Sequence, residues 1–382
     1  MNKPIYLDYN ATTPVSPKVL EAMLPYLAEN FGNPSSSHAY GLSARQAVAE
    51  ARASVAALLH ARDNEVLFTG SATEANNLAL LGVASALGRT RRHIVVSAIE
   101  HPAVMQPALH LREMGWDLTV VPVDSYGRVD PHAVAAAVRP DTGLVSIMHA
   151  NNEVGTIQPI AEIARLIKST GVLFHTDAAQ SAGKVELDVD ALGVDLLTLA
   201  AHKLYAPKGI GALYVRSGTP INPILFGADQ EHGLRPGTEN VPLVVGLGAA
   251  AKLAREQLSV ATEKLRTLRD ALHERLATAV PSLVLNGHPT ERLPNTLHIS
   301  FPGIVGRELL NRVTGQVAAS VGSACHSEMD AVSGVLAAMG CDANRTRGAV
   351  RLSVGRMSTP EEIEAAATAL SEGVNDLLIR RR

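Results

Sequence analysis

Apolar positions along this chain change rhythm several times, and those changes divide it. Short β-branched or apolar runs recur as "HIVVSAI" from His93, "LTVVPV" from Leu118, "GLVSIM" from Gly143, "VLFHTD" from Val172, "VDLLTL" from Val194 and "IGALYV" from Ile210. Between them, segments such as "PIAEIARLIKST" carry apolar residues at helical spacing. The alternation predicts an α/β fold with a mostly parallel sheet covered on both faces. Ligands of such sheets bind beyond the carboxyl ends of the strands. From about Gly246 the rhythm turns helical, with Leu258, Leu265, Leu268, Leu272 and Leu276 on one face and Pro281 as the stop. One long helix leading into a second domain is predicted. In "STPEEIEAAATAL", Thr359 can cap a closing helix, with Pro360 at its first position and Glu362 completing a capping box.

Composition narrows the function classes. At 382 residues the chain suits two domains, at ~150 residues each. It is 46% hydrophobic and 19% charged, which fits a folded globular protein. Lys and Arg total 34 against 37 Asp and Glu, a net charge of −3, so no field draws it to nucleic acid or an acidic membrane. Cys325 and Cys341 are the two cysteines, so no disulfide framework exists and a reducing, cytoplasmic setting is expected. "MNKPIYLDYNATTP" has no secretory apolar region, and no apolar run reaches the ~20 residues of a membrane span.

Three predicted strand ends carry reactive side chains: His101 in "IEHPAV", Asp177 and Gln180 in "HTDAAQ", and Lys203 in "AAHK". Singly, each has a plain explanation. Lys203 suits a solvated strand exit, and Asp177 and His101 suit helix caps. Together they fit one chemistry: a desolvated lysine forms a Schiff base with a carbonyl cofactor, and a carboxylate keeps a pyridine nitrogen protonated. That pairing points to pyridoxal 5′-phosphate (PLP). "FTGSATEANN" adds a small, hydroxyl-rich turn at a helix mouth, with Thr73 beside it, where an anion is favoured.

The ordered motifs "YLDYNATTP", "FGNPSS", "FTGSATEANN", "IEHPAV", "MHANNEVGTIQPI", "HTDAAQSAGK", "AHKLYAPKGIGALYV", "LRPGTEN", "SVGSACHS" and "VRLSVGR" resemble the NifS-like cysteine desulfurases and the related selenocysteine lyases, PLP enzymes of the class V aminotransferase group. The resemblance implies PLP fold type I: a large α/β domain with a mostly parallel seven-stranded sheet, over residues 15–255, and a smaller α/β domain from 1–14 and 256–382. It implies that Lys203 bears the cofactor and shuttles the substrate α-proton, with Asp177 on the ring nitrogen, Gln180 on the ring oxygen and His101 stacked on the ring. Thr73 and His202 would contact the phosphate, joined by Thr238 from the partner subunit of a homodimer. Arg351 and Asn152 would hold the substrate carboxylate, for which a guanidinium fork is suited.

The same resemblance makes Cys325 a nucleophile that takes sulfur from L-cysteine as a persulfide, leaves L-alanine, and hands the sulfur to an acceptor protein. His326 or groups of the substrate would lower its pKa toward the thiolate. Cys341 matches no family motif and reads as structural. The alternative substrate is L-selenocysteine, since "SVGSACHS" with "RPGTEN" looks more like the lyases. Three departures bear on cofactor binding. Ala200 stands where relatives carry serine, Gly70 and Ser71 are exchanged, and Ala228 and Asp229 replace two glycines.

Overall fold

The computed structural model describes residues 3–322 and 333–380. After the short β1 (Ile5–Tyr6) come the strands of a seven-membered sheet. These are β2 (Val66–Thr69), β3 (His93–Ser97), β4 (Asp117–Val121), β5 (Thr142–Ser146), β6 (Leu173–Asp177), β7 (Leu196–Ala200) and β8 (Gly211–Val215). Their spatial order is β2-β8-β7-β6-β5-β3-β4, and β8 alone runs against its neighbours. The periodicity predicts six of the seven. The sixteen-residue helical segment after β2, residues 72–87, starts at the "SATEANN" turn, so the four-residue β2 is hidden inside a stretch that reads as a turn and a cap.

Burial on both faces explains the near-continuous apolar runs. On β3, Val95 joins the core beneath helices Ala39–Leu59 and Val241–Glu256, whereas Ile94 and Val96 pack against residues 75–84 and 104–111 on the other side. The alternation repeats on β7 and β8. All six parallel strands therefore end at one edge, where the loops carrying His101, Asn152, Asp177 and Lys203 emerge.

A second core lies around β9 (Val284–Asn286), β10 (Thr296–Ser300), β11 (Val317–Ala318) and β12 (Ala349–Ser353). β9, β10 and β12 form an antiparallel sheet, and β1 pairs in parallel with β11. Leu265, Leu268, Leu272 and Leu276 pack there with Leu297, Ile299, Val350, Leu352, Ile363, Leu370 and, from the start of the chain, Leu7. The predicted single helix from Gly246 is two, Val241–Glu256 and Leu258–Ala279, broken at Gln257, because the first belongs to the large core and the second to this one. The closing helix, Pro360–Arg380, has its capping box: Glu362 N donates to Thr359 Oγ1 (3.2 Å) and Thr359 N to Glu362 Oε2 (3.1 Å). Among the described residues no helix is long and apolar enough to cross a membrane.

Candidate active site

At the carboxyl edge of the sheet a cavity of about 280 Å³ gathers Thr73, Asn76, His101, Asn152, Asp177, Gln180, Ala200, His202 and Lys203. Most residues marked by the sequence thus converge, although more than 120 positions separate the first from the last. Cys325 lies outside the described residues. Thr238 is exposed and does not line this cavity in the same chain, and Arg351 is buried without lining it.

Lys203 ends a single turn, Ala201–Lys203, directly after β7. The N-terminal segment clamps that turn, since Thr13 N and Thr13 Oγ1 both donate to His202 O (2.9 and 3.0 Å) and Tyr205 N donates to Thr13 Oγ1 (3.0 Å). Tyr205 closes the turn at φ 62°, a left-handed conformation uncommon for a bulky side chain. Lys203 Nζ donates to Asn10 O at 2.8 Å. The site is therefore braced from a segment remote in sequence.

Asp177 closes β6 and is buried. Its Oδ2 accepts from Asn76 Nδ2 (2.7 Å) and its Oδ1 from Ala179 N (2.9 Å), so the capping role open to it is filled as well. Among the described residues it forms no ion pair. An enclosed carboxylate with two neutral donors and a cavity before it is suited to a cationic ring nitrogen.

His101 likewise both caps and faces the cavity: its Nδ1 accepts from Ala103 N at 3.1 Å. That bond puts the proton on Nε2. Burial holds the ring below the usual imidazole range, with Lys203 acting the same way and Asp177 opposing. His202, bonded through Nδ1 to Thr12 Oγ1 at 3.2 Å, is pushed down to about 4 by burial and then by Lys203, Lys208 and Lys184. Both rings are neutral at pH 7.

The exchanged Gly70–Ser71 pair has a physical reason. Ser71 Oγ caps Glu74 N (3.1 Å), and Gly70 N donates to Glu74 Oε2 (2.8 Å), where an added Cβ would lie 2.7 Å from that oxygen. Glu74 Oε1 accepts from Arg235 Nε at 2.8 Å, so the acid at this anion-suited turn is neutralised. Arg235 belongs to the segment that carries Thr238. Glu231 anchors the same segment with a buried bidentate bond to Arg52 (both contacts 2.7 Å) and accepts from Phe68 N.

Arg351 on β12 has a committed fork: Nη2 donates to Asp8 Oδ1 (2.8 Å) and Nη1 to Asn152 O (2.9 Å), while the enclosed Nε has no partner among the described residues. Cys341 is half-buried, and burial pushes its thiol up, so it stays protonated at neutral pH.

Several residues at the site escape sequence reasoning. Asn10 acts mainly through its backbone carbonyl, which no side-chain pattern signals. Glu100, beside His101, is shifted up to about 8 by burial, against hydrogen bonds from Ser97 Oγ (2.5 Å) and Met148 N (2.9 Å) to its Oε1. Its Oε2 is enclosed without a partner among the described residues, although the residue keeps some exposure. A carboxyl raised in the folded state contributes its stability in full below the unfolded value of 4.5 and loses it as pH rises toward about 8. Glu100→Gln therefore gains on wild type between pH 5 and 8.5, by about 1–3 kcal/mol allowing for the partial exposure. Thermal unfolding at the two pH values checks this, and a constant difference in Tm would refute it.

Fold and cavity together define a class: an α/β enzyme of PLP fold type I, with a lysine at one strand end and an aspartate at the next. Residues 5–366 match the Aminotransferase class-V family. The cysteine desulfurase IscS of Methanosarcina thermophila is 46% identical over 98% of this chain and 93% of its own length. A solved NifS-like protein superposes with a TM-score of 0.92 at 38% identity, over 98% of this chain and 100% of that one. The structure described as SspA in complex with cysteine gives 0.82 at 35% identity, over 94% and 100%. The chain belongs to the class-V aminotransferases and, within them, to the NifS-like cysteine desulfurase family.

Proposed function

We propose that this chain is a PLP-dependent cysteine desulfurase that converts L-cysteine to L-alanine and carries the sulfur away as a persulfide on Cys325. The carrying observation is the enclosed Asp177 carboxylate facing the same cavity as Lys203 and His101. Family membership, and the cysteine named with SspA, support the substrate.

The residues present fit the cofactor. Asp177 would hold its ring nitrogen, Gln180 its ring oxygen and His101 its ring face, while Thr73, His202 and the first-turn amides after Ser71 would hold the phosphate. Ala200 supplies no hydroxyl there, which leaves more of that task to the amides and Thr73. Bound PLP supplies an electron sink for the carbanion formed when the substrate loses its α-proton. Lys203 is the attachment point and then the base that takes this proton from Cα. Neutral His101 presents Nε2–H to the cavity and can give a proton or steady a developing anion. The Cys325 thiolate attacks the substrate sulfur; the S–S bond forms as the Cβ–S bond breaks, and the electron pair and then a proton go to Cβ. Arg351 and Asn152 hold the substrate carboxylate, which requires the Asp8–Arg351 pair to yield part of the fork.

Exposed Leu24, Leu27, Phe31 and Phe226, the last 88% exposed, favour a homodimer in which Thr238 reaches the partner's phosphate site. Residues 15–255 would act as one domain and 1–14 with 256–382 as the other. The product sulfur would go to an acceptor protein in the cytoplasm.

Turnover of both amino acids by wild type and Cys325→Ala tests the reading. In a single turnover without an acceptor, wild type is expected to form alanine and bound persulfide in equal amounts from cysteine. Cys325→Ala is expected to lose cysteine turnover by about 100-fold or more, the scale of removing an activated nucleophile. Selenide leaves more readily, so turnover of selenocysteine is expected to persist. Undiminished cysteine turnover in the variant would refute the persulfide route.

A further inference from the structure

Lys184 is a buried lysine that the reaction just described does not use. It is 5% exposed, and among the described residues both hydrogen bonds of its Nζ go to one residue, Gln180: Nζ donates to Gln180 O at 2.8 Å and to Gln180 Oε1 at 3.3 Å. The local chain makes this possible. Gly183, at φ 68°, reverses the backbone after the turn at Ala178–Ala182, where a Cβ would meet Leu204 Cδ1 at 2.3 Å. Lys184 can then fold back over the residue four positions earlier.

An amide side chain can be turned either way round, and its two ends have opposite requirements. As an ammonium Lys184 offers only donors, so in that form it must face Oε1. At the other end Gln180 Nε2 donates to Asn10 O at 3.0 Å, and a backbone carbonyl offers only an acceptor. Reversing the amide would set donor against donor and carbonyl against carbonyl at once. Asn10 O also accepts from Lys203 Nζ, so one carbonyl ties the amide of Gln180 to the reactive lysine.

We infer that Lys184 is a positioning residue that locks the Gln180 amide with its N–H₂ toward the cavity, fixing it as a donor to the cofactor's ring oxygen. This rests on the PLP reading above. A second effect comes with it. Lys184 lies within electrostatic reach of Lys203, Arg351 and Arg356, and its ammonium, lowered to about 7 chiefly by burial and next by Lys203, works against a further positive charge on the nitrogen of Lys203.

The test uses full-length protein with Lys184→Met, Lys184→Arg, Gln180→Met and the Lys184/Gln180 double variant. The readouts are PLP affinity by titration of the apoprotein, the pH midpoint of the visible cofactor band, and apoprotein Tm. Lys184→Met is expected to weaken PLP binding about tenfold, the worth of one well-placed hydrogen bond. It is expected to move the visible midpoint up by about one pH unit, since both the charge and the donor oppose protonation there. Apoprotein Tm is expected to hold or rise, because burying an ammonium is costly. Lys184→Arg is expected to keep most of the affinity. In the Gln180→Met background, Lys184→Met is expected to cause no further loss of affinity. A lower Tm with unchanged affinity and midpoint would mean a structural role alone, and fully additive losses would mean Lys184 does not act through Gln180. Either overturns the inference. Wild type that binds no PLP would instead overturn the functional reading.

Discussion

Replacing Lys203 with alanine is expected to abolish alanine formation from cysteine, lowering turnover by at least 10³-fold. Removal of a positioned acid–base group costs about 10²–10⁴-fold, and here the attachment point goes with it. The variant should still fold, because Lys203 is only partly buried and the turn that carries it is held by the backbone N–H and the hydroxyl of Thr13, not by its own amine. Borohydride should fix no cofactor covalently to position 203 of purified Lys203→Ala protein, even with PLP added. Turnover near wild type would sink the assignment of Lys203. Thermal unfolding close to that of the wild-type apoprotein would separate lost chemistry from lost structure.

Arg351→Ala is expected to damage both stability and substrate binding. Arg351 is 2% exposed and its partner Asp8 is far more enclosed than a surface acid, so truncating the arginine leaves an uncompensated carboxylate beside a buried strand. Breaking such a pair costs about 3–5 kcal/mol. The Asn152 carbonyl loses a donor as well. Loss of a charged hydrogen-bonding partner for the substrate carboxylate removes another 1.5–3 kcal/mol, roughly 10–150-fold, expected mainly as a raised KM. Denaturant unfolding and cysteine kinetics read the two effects separately. Arg351→Lys keeps the charge without the fork and should recover stability more than KM. If KM were unchanged in both variants, Arg351 would have no part in holding substrate.

Those residues differ in how far the sequence could reveal them. Lys203, Asp177 and His101 are legible because each follows an apolar run that ends in a reactive side chain, and the parallel sheet brings those ends together. At Asp177 and His101 a helix-capping explanation and the proposed functional one need not compete. Each uses one atom for the cap and faces the cavity too. β2 and the break at Gln257 were not legible: three apolar residues and a threonine before a turn give too short a signal, and two consecutive helices feeding different cores look like one amphipathic run. Asn10, Lys184 and Glu100 escaped for another reason. They act through a backbone carbonyl, through the orientation of a neighbouring amide, and through burial, none of which leaves a periodicity. Arg351 is marked by motif alone, and its engagement with Asp8 is seen only in three dimensions.

The stitching of the first dozen residues has a temporal consequence. Leu7 O accepts from Ser353 N, Asn10 N donates to Ser353 Oγ, and Ile5 N donates to Gln316 O. A nascent chain leaving the ribosome can thus build most of the seven-stranded sheet long before Asn10 finds its place. The carbonyl that grips the reactive amine arrives only after some 350 residues have been made, and contacts so distant in sequence form slowly. Truncated translation products would be compact yet chemically idle.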